Sequence, residues 1–204
     1  RDFYRRYVRP ISEKSSRVFV IISDGLRYET AAQLREEIAR ATKGNARLYA
    51  VQSIFPSITS FGMAALLPGS AMAMDREGRV LVDGMSTVGT GDRQKILQKT
   101  EPNSVAARYD DVLRMTRQQR RELVNGMKVV YIDHNTIDAV GDESKTEKGV
   151  FKACEDAVRQ LTSLLKLIVN DMQGTEVYIT ADHGFLYTYS PLDENEKIGR
   201  EVFD

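Results

Sequence analysis

The chain has one cysteine, Cys154, so no internal disulfide can staple it, and a lone thiol fits a reducing compartment. It lacks a surplus of either charge, because 29 Lys and Arg residues face 29 Asp and Glu. That balance excludes the global basic field expected of a nucleic-acid or anionic-membrane binder. The local run of Arg114, Arg117, Arg120 and Arg121 reads as a solvated helix face in preference to an anion patch. No apolar stretch is long enough to span a bilayer, and the opening residues do not read as a signal peptide. The expectation is a cytoplasmic protein with no membrane partner. Internal repeats and low-complexity segments are also missing. A length of 204 residues suits one domain with a core that needs no disulfide or metal staple. The chain opens on Arg1 and stops soon after a motif-bearing strand. The expectation is a single domain, 1–204, cut from a longer protein, with functional elements beyond Asp204.

What the chain does have is three hydrophobic strands that each end in aspartate: Val18–Asp24, Val129–Asp133 and Val177–Asp182. β-Branched and aromatic runs of this kind read as strands of a parallel sheet buried on both faces. Between them, helical spacing predicts helices over 26–41, 59–67, 93–99 and 104–124, and a long amphipathic helix through Val150, Cys154, Ala157, Leu161, Leu164, Leu165 and Ile168. Arg47–Ile54 reads as a further strand. Residues 74–91 read as a glycine-rich loop with room for a small hairpin, and 74–124 as a candidate cap or insertion. Alternating strands and helices predict an α/β layered fold with a mostly parallel central sheet flanked by helices.

In such sheets ligands collect at the carboxyl ends of the strands. Asp24, followed by Gly25, can either approach an ion there or cap the next helix. Asp182-His183-Gly184 can chelate one cation through a carboxylate and an imidazole, or simply form a turn. Asp138 and Asp142 stand four residues apart across Gly141. They could turn to one cation on a loop, share a helix face, or form a solvated acidic turn. Thr59 lies at a helix mouth, where a hydroxyl caps the helix or faces a phosphate. His134 is read as a hydrogen-bonded loop histidine and held in reserve as a ligand. Arg27 is equally suited to phosphate charge and to pairing with Glu29 or Glu36.

Taken in order, the strand-end Asp24, helix-mouth Thr59, the Asp138-x-x-Gly141-Asp142 element and Asp182-His183-Gly184 resemble the alkaline phosphatase superfamily of metal-dependent phospho- and sulfohydrolases. The nearer resemblance is to the PglZ domain. It is carried by Ser23–Glu29, Pro56–Ser60, Ala65–Gly69, Ser86–Thr90 and Asn135–Asp142, and runs from about Val18 to Tyr187. Proteins with that domain belong to bacterial phage-exclusion systems, BREX and phage growth limitation, and the domain also occurs fused to response regulators.

The resemblance implies an alkaline-phosphatase-like fold and a set of divalent-metal ligands. Asp24, Thr59, Asp182 and His183 would form one site, with Thr59 as nucleophile, and Asp138 and Asp142 would supply a second. Zinc is the first expectation. Asp142 stands where the nucleotide phosphodiesterase branch has histidine, which makes the second site harder and admits manganese or magnesium there. No histidine follows His183, so the downstream ligand that usually completes the second site is expected to be absent or to lie beyond Asp204. The implied activity is phosphoester hydrolysis through a phosphothreonine, on a nucleotide or nucleic-acid phosphodiester, with other phage-defence proteins as partners. The competing expectation is a scaffold domain that keeps the fold and organises a defence complex without turnover.

Overall fold

The computed structural model describes residues 2–14, 16–143 and 147–184, with the backbone alone for 141–143 and 147–148. Its centre is β1 (Val18–Ser23), in which every residue is buried. β1 pairs in parallel with β6 (Val129–His134) on one side and β7 (Glu176–Thr180) on the other, and β5 (Ser104–Arg108) extends the sheet beyond β6. The resulting order is β5-β6-β1-β7, four parallel strands flanked by helices. This is the expected α/β layered architecture.

The period-two alternation of β1 divides the core. Phe19 and Ile21 point into one apolar cluster with Leu34 and Ile38 of α2 (Tyr28–Ala41) and Leu161, Leu164 and Ile168 of α8 (Glu147–Asp171). Val18, Val20 and Ile22 point into the other. That second cluster takes Met63 and Ala64 of α3 (Thr59–Ala65), Ile96 and Leu97 of α4 (Thr90–Thr100), and Tyr4 and Val8 of the amino-terminal helical segment, which runs through π-helical Tyr4–Val8 into α1 (Arg9–Ser12). With both faces covered, β1 needs no polar face, which is why its sequence is an unbroken apolar run.

Two expectations on element type are corrected. Among the described residues Arg47–Ile54 forms no ladder, and it is largely exposed, Tyr49 and Val51 included. Ser104–Arg108 is a strand, with helices α5 (Tyr109–Arg114) and α6 (Arg117–Leu123) only after it. Its Ala-rich sequence suits a helix locally, but pairing with β6 overrides that preference. Residues 74–91 hold a small hairpin, as the sequence allowed: β3 (Val80–Val82) pairs with β4 (Met85–Ser86), and β2 (Met72–Met74) joins β3 to complete a small antiparallel sheet. The arginine run is not simply solvated. Arg120 is nearly buried and, with Arg117, pairs with Asp171 at the end of α8.

One glycine fixes how α3 meets the sheet. A Cβ on Gly62 would lie 2.2 Å from the carbonyl oxygen and 2.6 Å from the carbonyl carbon of Asp182. Gly62→Ala gains about 1 kcal/mol of intrinsic helix propensity. The overlap is with backbone, however, so a net destabilisation of about 1–3 kcal/mol is expected from overpacking. Urea unfolding checks the sign, and a more stable variant would show that α3 is free to move off the strand end.

Candidate active site

Three side chains converge where β1 and β7 end. Register pairs Ile22 with Thr180, and two residues further on the same alignment brings Asp24 beside Asp182. Both are 3% exposed. Asp24, Asp182 and His183 each offer one ligand atom, and these atoms all lie within 4.8 Å of one another.

Backbone groups hold each residue in place. The Asp24 N–H donates to the His134 carbonyl at 2.8 Å. Gly25 then takes φ +70°, a left-handed turn that glycine adopts without strain, and its N–H donates to Asp182 Oδ1 at 3.3 Å. Asp182 is thus anchored by one oxygen while Oδ2, like Asp24 Oδ1, is buried without a hydrogen-bond partner among the described residues. His183 Nδ1 lies 2.9 Å from the Gly184 carbonyl. A carbonyl only accepts, so Nδ1 carries a proton and neutral His183 leaves Nε2 bare. That nitrogen lies 3.1 Å from Asp24 Oδ1, 3.6 Å from Asp182 Oδ2 and 3.9 Å from Asp138 Oδ1.

Thr59 joins this group. The residue before α3 is an extended Ile58, and no side chain caps the helix. Thr59 therefore occupies the first helical position, and its Oγ1 lies 2.9 Å from His183 Nε2. The cap reading also fails for Asp24, since α2 starts from an extended Arg27 without a side-chain cap. Arg27 itself is turned to Glu29, 3.2 Å away.

Electrostatics mark the cluster as charged beyond what burial tolerates. Burial, then the charges of Asp182 and Asp138, push the Asp24 carboxyl up to about 7. Burial works to lower the pKa of His183. The bond to the Gly184 carbonyl and the charges of Asp182, Asp24 and Asp138 more than offset it, so the net shift is upward. Two orphaned buried carboxylate oxygens facing a bare imidazole nitrogen form a hard-and-borderline donor set that could hold a divalent cation such as zinc or manganese. The residues present fit such an ion.

The remaining sequence candidates fall elsewhere or only partly within reach. Asp138 stands at the start of α7 (Ile137–Glu143), half-buried at the rim of the cluster. The backbone of Asp142 lies in the same helix, which settles helix over loop, but its side chain lies outside the described residues. Asp133, the third strand-end aspartate, is not in the site. It pairs with Ile22, one rung below Ser23, and so faces α4, where it accepts from Thr90 Oγ1 at 2.7 Å and pairs with Arg93 at 3.2 Å. His134 is buried at 1% exposure and bonded to side chains; burial lowers its pKa against the opposing bond to Gln160. Sequence reasoning missed Ser53, whose Oγ reaches the Asp182 carbonyl at 3.5 Å, and Gly62, whose position inside a helical pattern was the available signal.

The chain matches the family profile of the BREX system PglZ alkaline phosphatase-like domain over residues 3–204. It is 40% identical over 202 residues to the alkaline phosphatase-like protein PglZ of Bacillus cereus (strain H3081.97). It is 39% identical over 206 residues to the alkaline phosphatase-like protein BrxZ of Escherichia coli O9:H4 (strain HS). Each alignment covers 99% of this chain and 24% of the relative, so the chain spans about a quarter of the length of these curated relatives. The chain belongs to the PglZ family, and its fold is of the alkaline-phosphatase-like α/β kind. No helix among the described residues is long and apolar enough to cross a membrane.

The raised Asp24 carboxyl makes stability depend on pH with a definite sign. The folded chain holds that proton more tightly than the unfolded chain does. The contribution is therefore complete below the ordinary value of 3.8 and is lost as pH rises through about 7. Urea titrations of metal-free protein should show this fall across that window, and Asp24→Asn should flatten it. Equal pH dependence in the two proteins would contradict the crowding of charge at Asp24.

Proposed function

We propose that this PglZ domain, taken as one unit over 1–204 within a longer protein, is a divalent-metal-dependent phosphoester hydrolase acting in phage defence, with Thr59 as its nucleophile. The observation that carries the reading is the meeting of Thr59 Oγ1, Nε2 of His183 and two buried carboxylate oxygens without a hydrogen-bond partner among the described residues at one strand end. Asp24, Asp182, His183 and Thr59 would hold the ion, zinc before manganese or magnesium. Asp138 at the rim, with Asp142 from the same helix, would serve a second, harder site. A cation held there would neutralise the carboxylates, lower the pKa of the hydroxyl and draw charge from the phosphoryl oxygens.

This chain's own residues supply the geometry. α3 delivers the Thr59 hydroxyl at its first turn, and the approach at Gly62 sets its height against Asp182. Attack by Oγ1 on phosphorus breaks the bond to the leaving oxygen and gives a phosphothreonine, which water hydrolyses in a second displacement. Thr59 and Asp138 are half-buried at the edge of the cluster, while Asp24 and Asp182 are closed to bulk water. A phosphodiester of nucleotide or nucleic-acid type is the proposed substrate, and other defence-system proteins are the proposed partners.

In the full-length protein, Thr59→Ala should abolish hydrolysis of bis-p-nitrophenyl phosphate while the fold persists; an undiminished rate would remove Thr59 from the mechanism. Asp182→Ala and His183→Ala should each lower bound metal by about one ion per chain, as loss of a direct ligand does. Full metal content in both would contradict the ligand assignment. A wild-type protein with neither metal nor turnover would favour the scaffold.

A further inference from the structure

Of the two histidines in the chain, His134 lies beside the cluster and is bonded on both ring nitrogens. Gln160 Oε1 receives the Thr136 hydroxyl at 2.6 Å and lies 2.8 Å from His134 Nε2. An amide oxygen only accepts, so Nε2 donates to it. Nδ1 is then the bare nitrogen and accepts from the Ser23 hydroxyl, 3.0 Å away. Thr136 Oγ1 is also 3.2 Å from Nε2, and the ring stands edge-on to Tyr109 with centroids 4.8 Å apart.

These contacts join three elements next to the site. Ser23 immediately precedes Asp24, whose own N–H is held by the His134 carbonyl. Thr136 lies two residues before Asp138, in the turn from β6 into α7. Gln160 belongs to α8, the longest helix against the sheet. We infer that His134 is a positioning residue: its imidazole locks the tip of β1, which carries Asp24, to the β6–α7 turn, which carries Asp138, and so sets the spacing of the carboxylates around His183. The inference rests on the reading of the strand-end cluster as a metal site. Strand pairing alone would not suffice, because the β1–β6 ladder ends at the Ser23–His134 pair and both carboxylates lie beyond it.

The test is isothermal titration of the full-length protein with Zn2+ and with Mn2+ alone. Ser23→Ala removes the bond to Nδ1. His134→Phe removes both ring nitrogens while keeping a ring against Tyr109. Each should weaken metal binding about tenfold or more, the usual effect of losing a group that orients a ligand. His134→Asn, whose Oδ1 can take the place of Nδ1 toward Ser23, should recover part of the affinity. Ile168→Val, in the core at the far end of α8, lowers the melting temperature without touching the network and should bind metal as wild type does. Unchanged affinity in Ser23→Ala and His134→Phe, with normal wild-type binding, overturns the role alone, as does an equal loss in Ile168→Val. A wild-type protein that binds neither ion overturns the reading of the site and this role with it.

Discussion

Asp24 and Asp182 lie buried side by side at the ends of two adjacent parallel strands, and the surrounding structure serves to hold that arrangement against its own repulsion. Ligand atoms within 4.8 Å of one another would repel, if both were ionised, by roughly 4 kcal/mol at the effective dielectric of such sites. The chain meets this only in part. Gly25 gives its N–H to one oxygen of Asp182, and burial with the neighbouring charges pushes the Asp24 carboxyl up to about 7, toward its neutral form. Two buried oxygens are still left without a hydrogen-bond partner among the described residues. Structures rarely leave such groups unmet unless something else binds them, and a divalent cation answers both the charge and the missing bonds.

The layers follow from that requirement. For the carboxylates to be buried, β1 must be covered on both faces, and its alternation feeds two separate apolar clusters. For Thr59 to reach His183, α3 must come within contact of the Asp182 backbone, which only a glycine at position 62 allows. The residues of the cluster come from β1, α3 and β7, three elements far apart in sequence. Only the closed fold brings them together.

Much of this was legible in the sequence. Buried parallel strands announce themselves as apolar runs, so β1, β6 and β7 were readable directly, as was the amphipathic stripe of α8. The order Asp24, Thr59, Asp138, Asp182-His183 pointed to one family, which the comparisons bear out. Other features depend on pairing and register that residue types do not encode. β5 looks helical until it meets β6. Asp133 has the same local signature as Asp24 and Asp182, yet it lies level with Ile22, two rungs short of Asp24, and pairs with Arg93 away from the cluster. Asp24 suited a cap and an ion ligand equally, and Thr59 read first as a cap; only the extended backbone of Ile58 and Arg27 excludes capping. His134 read as a hydrogen-bonded histidine, but its partners Ser23 and Gln160 are 111 and 26 residues away.

The central claim is that one divalent cation sits among Asp24, Asp182 and His183 beside Thr59. Anomalous X-ray diffraction at the zinc and manganese absorption edges, from crystals of the full-length protein grown with each metal, tests it most directly. A peak within about 2.0–2.3 Å of the His183 nitrogen and both carboxylates, with the Thr59 hydroxyl in reach, is the predicted result. Density at the strand ends with no anomalous signal, or a signal confined to another part of the molecule, would contradict it.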